Sequence, residues 1–210
     1  MSSTKTLDDV ARWLGTEWSE GQRAMFVRYQ SWLLDEAMPA GGIGPGEAHR
    51  IFDRHIADSL VFAKLIQNEA RTLVDVGSGV GLPGIPIAIA CPHIAVTLVD
   101  RSERRAGLAS RACRILELDR VVVSTSDAAD IDETFDIITF RASLSLDRAT
   151  KVFDRLAGSS GEGLFALSRV QAPIAPLKAP EHTIFTIMSE GLEVLDSPAW
   201  MLRMQRRQST

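Results

Sequence analysis

Apolar positions in the first forty residues recur at steps of three and four: Leu7, Val10 and Leu14, then Met25, Phe26, Tyr29, Trp32 and Leu33. That is the period of amphipathic helices that need packing partners. Ser19 and Gln22 stand at capping-box spacing, so the second helix is expected to start there, with Trp18 in the staple position just before it. The pattern breaks at PAGGIGPGEA, residues 39–48, where four glycines and two prolines predict a loop or short linker. From Ile51 a helical stripe resumes through Phe52, Ile56, Leu60, Ala63 and Ile66. Inside it, Arg54 with Asp58 and His55 with Ser59 are four apart, a spacing that pairs them on a helix surface. The plain structural reading of those four is a solvated face with one local ion pair.

After residue 70 the rhythm becomes strand, glycine loop, helix, strand, as in a parallel sheet with crossover helices. Strands are predicted at 72–76, 96–99, 121–123, 135–140 and 163–167, with helices from Pro83 or Gly84 to Ala90, over 103–118 and over 144–156. Two late strands, 182–188 and 199–204, have no helix between them. The expected architecture is α/β and Rossmann-like: a seven-stranded, mostly parallel sheet with helices on both faces. Residues 1–68 form an N-terminal helical extension and 69–210 the Rossmann-like domain, together one structural unit.

Composition narrows the function. With 210 residues, 45% of them hydrophobic, the chain can bury one domain core and little more. A formal charge of −4 lacks the basic balance of a chain held on nucleic acid by many phosphates, so any RNA site would be a local patch. Arg101, Arg104, Arg105, Arg111 and Arg114 after the second strand, with Arg203, Arg206 and Arg207 near the end, are candidates for it, although such runs are more commonly a solvated helix face. Cys91 and Cys113 form no CxxC and have no histidine at ligand spacing, so they read as buried thiols in a reducing compartment, with no metal. No apolar run approaches the roughly 18 residues of a membrane span, and the start of the chain does not look like a signal peptide. The expectation is a cytoplasmic protein without a membrane partner.

The informative segment is Asp75-Val76-Gly77-Ser78-Gly79-Val80-Gly81-Leu82-Pro83-Gly84, between the first strand and a helix. Residues without Cβ at the carboxyl end of a parallel strand let a ligand approach the backbone, and the next helix points N–H groups at it. Gly79-x-Gly81-x-x-Gly84 matches the dinucleotide pattern, but in the register that closes the strand at Gly77 the third glycine would be Leu82. The alternate glycines Gly77, Gly79 and Gly81 after Asp75 resemble instead the first motif of S-adenosyl-L-methionine enzymes. Asp75 would anchor the loop or meet the methionine amino group through water, and a bulky side chain at Gly79 would enter the cofactor's space. Asp100, ending the second strand, stands where a carboxylate takes both hydrogen bonds of a ribose diol, a geometry shared by nicotinamide enzymes. Asp127-Ala128-Ala129-Asp130 follows the third strand, where adenine is bordered in such folds. Arg141 ends an otherwise apolar strand and should pair with a carboxylate or ligand, or more plainly with Asp136 or Asp147 at the surface.

Three stretches carry a family resemblance: Arg54-His55-Ile56-Ala57-Asp58-Ser59-Leu60, the segment from Asp75 to Ile89, and Phe135-Asp136-Ile137-Ile138-Thr139-Phe140-Arg141-Ala142. In residues, order and spacing the chain resembles the bacterial 16S ribosomal RNA guanine-N7 methyltransferases, once called glucose-inhibited division protein B. The resemblance implies a class I S-adenosyl-L-methionine-dependent methyltransferase acting on 16S ribosomal RNA or the small ribosomal subunit. It places Gly77 and Leu82 against the cofactor, with Asp75, Ser78, Gly79, Gly81 and Asp100 around it and Ala128 and Ala129 beside the adenine. Arg141 would face both cofactor and substrate, and the helix of Arg54, His55, Asp58 and Ser59 would close over the acceptor. The chain departs from the family's usual residues at the glycine-rich loop 39–48, at Glu103-Arg104-Arg105, at Asp127-Ala128-Ala129 and at Ala166-Leu167-Ser168-Arg169. Two alternatives stay open at this stage: a methyltransferase for another RNA or a small molecule, and a non-enzymatic nucleotide-binding module of the same fold.

Overall fold

The alternation after residue 70 closes into one seven-stranded sheet of order β3-β2-β1-β4-β5-β7-β6. Its strands are β1 (Thr72–Val76), β2 (Ala95–Val99), β3 (Val121–Ser124), β4 (Phe135–Phe140), β5 (Ala157–Ser168), β6 (Thr183–Glu190) and β7 (Ala199–Arg206). The computed structural model describes residues 5–168, 177–191 and 193–207. Strands β1 to β5 pair in parallel, and β7 runs antiparallel between β5 and β6. The expected fold class is therefore the observed one. Because side chains alternate along a strand, Leu73 and Ile137 enter the core on one face of the sheet, and their neighbours Val74 and Ile138 enter the core on the other.

The helices are α1 (Leu7–Leu14), α2 (Glu20–Trp32), α3 (Asp58–Leu65), α4 (Gly84–Ala90), α5 (Glu103–Ile115) and α6 (Leu146–Leu156). Ser19 and Gln22 form the expected capping box at the start of α2. Trp18 packs its ring 5.2 Å from Phe26 and donates its indole N–H to the Leu7 carbonyl at 3.0 Å. The aromatic stripe of α2 also reaches the glycine loop: the buried Tyr29 hydroxyl donates to the Val80 carbonyl at 3.0 Å, and Gln22 Nε2 to the Ile89 carbonyl at 2.8 Å. The N-terminal helices thus brace the loop that follows β1.

Three departures from the expected elements matter for the site. Residues 39–48 are packed rather than a plain linker: Ile43 is buried, Pro45–Arg50 is a 3₁₀ helix, and Arg104 donates to the Ala40 carbonyl. The helix from Ile51 is π-wound over Ile51–Ala57 before continuing as α3. Wider winding rotates the following residues and loosens the carbonyl ladder, a feature frequent at functional sites. The third helix after the sheet begins, α6, starts at Leu146 and not at Leu144, which leaves Ser143 and Leu144 at the sheet's edge as loop. No helix among the described residues is long and apolar enough to cross a membrane.

Candidate active site

A cavity of about 430 Å³ opens at the carboxyl ends of the parallel strands. Chain order reverses there, since β1 lies between β2 and β4, and ligands bind at such switch points in open α/β sheets. Its wall is built from the loop after each strand: Gly77 after β1, Asp100 and Arg101 after β2, Asp127 and Ala128 after β3, and Ala142, Ser143 and Leu144 after β4. Gly77, Gly79 and Gly81 have φ of +72°, +58° and +94°. These are left-handed torsions that glycine adopts without strain, which accounts for their alternate spacing. A Cβ on Gly77 would lie 2.3 Å from the Ser143 Cβ, whereas one on Gly79 would meet nothing within 4 Å.

Asp100 and Asp75 do different work. Asp100 is 3% exposed and lines the cavity. One of its oxygens accepts the Gly79 N–H at 3.0 Å, and the other accepts the Ser102 N–H at 2.8 Å and Arg105 Nε at 3.2 Å. Asp75 lies behind the loop and takes the Gly84 N–H and the Thr139 hydroxyl, each at 2.9 Å. Burial pushes its carboxyl up to about 7, against the lowering effect of those hydrogen bonds. Of its two expected roles, the geometry supports loop anchoring. Ser78, Gly81 and Leu82 are buried behind the loop's exposed edge, and Leu82 belongs to the hydrophobic core. Ala128 reaches the cavity wall, while Ala129 is exposed beside it with its N–H on Asp127 Oδ1. From the expected cofactor set, then, Gly77, Asp100 and Ala128 meet at the cavity; Asp75, Ser78, Gly79, Gly81 and Leu82 anchor or form the loop behind it, Ala129 is exposed beside it, and Arg141 lies in a neighbouring hollow and not at this one.

A second hollow of about 280 Å³ shares Ala142 with the first. Arg141 stands in its wall at the end of β4. Its guanidinium lies 3.6 Å from the Asp58 carboxylate and donates to the Arg54 carbonyl at 2.5 Å and to Ser59 Oγ at 3.4 Å. The surface pairing with Asp136 or Asp147 is not formed: Asp136 instead accepts the Arg71 and Thr72 N–H groups at 2.8 and 2.9 Å. The local pairing of Arg54 with Asp58 gives way to this longer-range clasp, because the π-wound turn presents the Arg54 carbonyl to Arg141. Ser59 Oγ bonds to the His55 carbonyl rather than its ring, and His55 Nε2 lies 3.4 Å from Glu47.

Burial, reinforced by the Arg141 cation, pushes His55 from 6.5 down to about 4. A histidine whose folded pKa lies below its unfolded value leaves stability unaffected above the unfolded pKa. It subtracts stability as pH falls from 6.5 towards 4, because the unfolded chain takes the proton first. His55→Gln should therefore gain about 2 kcal/mol relative to the parent between pH 8 and pH 5. Urea unfolding at the two pH values measures this, and an unchanged difference would mean that the imidazole titrates normally.

A model of the family rRNA small subunit methyltransferase G matches residues 22–179. The chain belongs to this family. The ribosomal RNA small subunit methyltransferase G of Acidothermus cellulolyticus is 32% identical over 98% of this chain and 90% of its own length. That of Mycobacterium sp. (strain JLS) is 38% identical, covering 85% of this chain and 83% of the relative. Among solved structures, a ribosomal protein L11 methylase from Lactobacillus delbrueckii subsp. bulgaricus superposes with a TM-score of 0.54 at 17% identity, over 74% of this chain and 79% of that one. A putative rRNA-methylase from Clostridium thermocellum does so with 0.52 at 13% identity, over 74% and 97%. Both likenesses show the fold.

In this chain the arginines proposed as an RNA patch are mostly engaged with the protein itself. Arg104 holds Ala40, Arg105 holds Asp100 and Arg111 pairs with Glu36. Arg203 bonds the Leu65 carbonyl and faces Glu162 at 3.5 Å, and Arg206 bonds the Asp154 and Ala157 carbonyls. Arg169 lies outside the described residues. The cations that line the first cavity are Arg101, Arg105, Arg148 and Lys151. Arg148 and Lys151 were not singled out from the sequence, although their spacing of three on α6 puts them on one helix face. Ser143, Leu144 and Trp200 were missed as well, because only the assembled sheet turns the loop after β4 to the first cavity and brings the start of β7 to the carboxyl end of β5 at the second. No cluster of metal-ligating side chains occurs among the described residues.

Proposed function

We propose that this methyltransferase moves the methyl group of S-adenosyl-L-methionine to N7 of a guanine in 16S ribosomal RNA, acting on the small ribosomal subunit. The observation that carries the reading is the pair of hollows meeting at Ala142, one fitted to a nucleoside cofactor and the other to a single planar base. The first fits the cofactor by its donor set. A carboxylate at Asp100 suits the ribose diol, Gly77 leaves backbone open to the methionine end, and the small Ala128 leaves a flat slot for adenine. The buried Ser143 Oγ behind the same wall has no hydrogen-bond partner among the described residues.

S-adenosyl-L-methionine supplies an electrophilic methyl on a sulfonium, and the remaining chemistry is positional. Guanine N7 carries a lone pair and no proton, so no general base is needed. Arg141, Asp58 and Arg54 in the second hollow orient the base so that N7 points toward Ala142 and the first cavity. Alignment of this kind is worth several kcal/mol of barrier in bimolecular reactions, about 7–11 at its upper range. The cofactor carries a net positive charge and Arg105 is taken by Asp100, so the other three cations around the cavity answer to something else. Arg101, Arg148 and Lys151 suit the phosphates of RNA crossing the mouth. Residues 1–68 serve as a helical extension that braces the glycine loop, and the two free thiols, Cys91 and Cys113, suit a reducing, cytoplasmic setting.

The deciding experiment incubates the protein with radiolabelled S-adenosyl-L-methionine and small subunits from cells lacking the enzyme, then identifies the labelled nucleoside by mass spectrometry. Label in 7-methylguanosine of 16S RNA is the expected result. Label in another nucleoside, or none in RNA, would overturn the reading.

A further inference from the structure

Strand β7 is antiparallel to β5, so its first residues arrive at the edge where the parallel strands end. That reversal brings Trp200, which pairs with Ser168 and Ser189 in the sheet, into the second hollow with Arg141 and Asp58. The hollow has two unlike walls. Arg54, Asp58 and Arg141 make a polar one, and Phe62, Leu167 and Trp200 an apolar one. Phe62 is fully buried, whereas Trp200 is half-buried and keeps part of its ring open. The other tryptophans are already engaged: Trp18 lies against Phe26, Trp32 stacks on Tyr29, and Trp13 has the Lys64 ammonium 5.6 Å over its ring. Trp200 has no aromatic or cationic partner among the described residues.

We propose that Trp200 is the face on which the acceptor guanine stacks, and that its ring steadies the positive charge the base acquires on methylation. This rests on the function proposed above. As the N7 lone pair bonds to the methyl carbon, the carbon–sulfur bond breaks and its electron pair stays on sulfur. No proton moves, and the unit of positive charge passes from the sulfonium to the purine. The Arg141–Asp58 pair is neutral as a unit, and Arg54 adds positive charge, so the polar wall has nothing to spare for a cationic base. With Phe62 fully buried, the partly open Trp200 indole is the aromatic face the hollow can offer a ligand, and tryptophan is the strongest ring for attracting a cation. It therefore favours the charged product-like base over the neutral guanine, which is the direction that lowers a barrier.

Trp200→Leu and Trp200→Phe are compared with the parent for methyl transfer to small subunits and for S-adenosylhomocysteine affinity. Leu should lower kcat/KM about tenfold, the scale of one lost base–aromatic stack. Phe should retain most of it, and cofactor affinity should be unchanged in both. Independently, tryptophan emission is titrated with 7-methylguanosine monophosphate and with guanosine monophosphate in the presence of S-adenosylhomocysteine. The methylated nucleotide should quench the parent at several-fold lower concentration, with the quench absent in Trp200→Phe. Parent-like activity in Trp200→Leu, an equal loss in Leu and Phe, equal affinity for the two nucleotides or a quench that persists in Phe would each overturn the role of Trp200. A parent that methylates no RNA would instead overturn the underlying function, which the parent's own assay reports separately.

Discussion

Gly77→Ala should lower affinity for S-adenosylhomocysteine by about a hundredfold or more, a loss of roughly 2.8 kcal/mol at about 1.4 kcal/mol per tenfold. Gly79→Ala, two residues along the same loop, should lose less than about tenfold. The two positions share a left-handed backbone, +72° and +58°, so any residue with a Cβ incurs a similar conformational cost of about 1–2 kcal/mol at either. What separates them is space. At Gly77 the new methyl would sit 2.3 Å from the Ser143 Cβ, so the loop after β4 must move away from the loop after β1. Those two loops form part of the wall of the first cavity, and Gly77 is pinned besides by its N–H on the Val99 carbonyl at 2.7 Å. At Gly79 the methyl meets nothing within 4 Å. Calorimetric titration of both variants is the measurement. Equal affinities would show that the tight approach of the loops does not shape the cofactor site.

Arg141→Ala should reduce methyl transfer to small subunits by roughly a hundredfold, which corresponds to about 2.7 kcal/mol in the barrier. A stability loss of about 2 kcal/mol should accompany it, because it removes the Arg141 cation from beside the Asp58 carboxylate in a largely buried place. Asp58 and Arg141 side chains are 13% and 17% exposed, which is why that figure lies below the full cost of a buried unpaired charge. From the sequence alone, a surface pairing with Asp136 or Asp147 would make the substitution nearly neutral in stability, but the clasp to Asp58, Arg54 and Ser59 does not allow that. Adding Asp58→Asn to Arg141→Ala should recover most of the stability and none of the activity, since removing both charges ends the desolvation penalty without restoring the oriented fork. Thermal unfolding beside the methyl-transfer assay separates the two effects. If the double variant regained activity along with stability, Arg141 would have only a structural role.

The alternating strands and helices after residue 70, the glycine loop after β1 and the family membership were legible in the residues themselves. They depend on local rules: a period of two or of 3.6 for the elements, and left-handed torsions that demand glycine at alternate positions. The cap at Ser19 and the carboxylate of Asp100 at the end of β2 follow from the same local chemistry. Partnerships across the fold did not. Arg54 and Asp58 have helix-pair spacing, yet the π-wound turn sends Asp58 to Arg141, 83 residues away in the chain. Residues 39–48 have the composition of a linker and are nonetheless packed on the glycine loop, because Gly42 fits against Val80 where a side chain would not. The arginines of α5 look like a nucleic-acid patch in one dimension, but the charges they meet in three belong to the protein itself. Local spacing specifies backbone form, because the forces that set it act within one turn or one pleat. Which charge meets which, and whether Trp200 faces solvent or a hollow, depends on strand order and on β7 running opposite to its neighbours, and those are settled only when the sheet assembles.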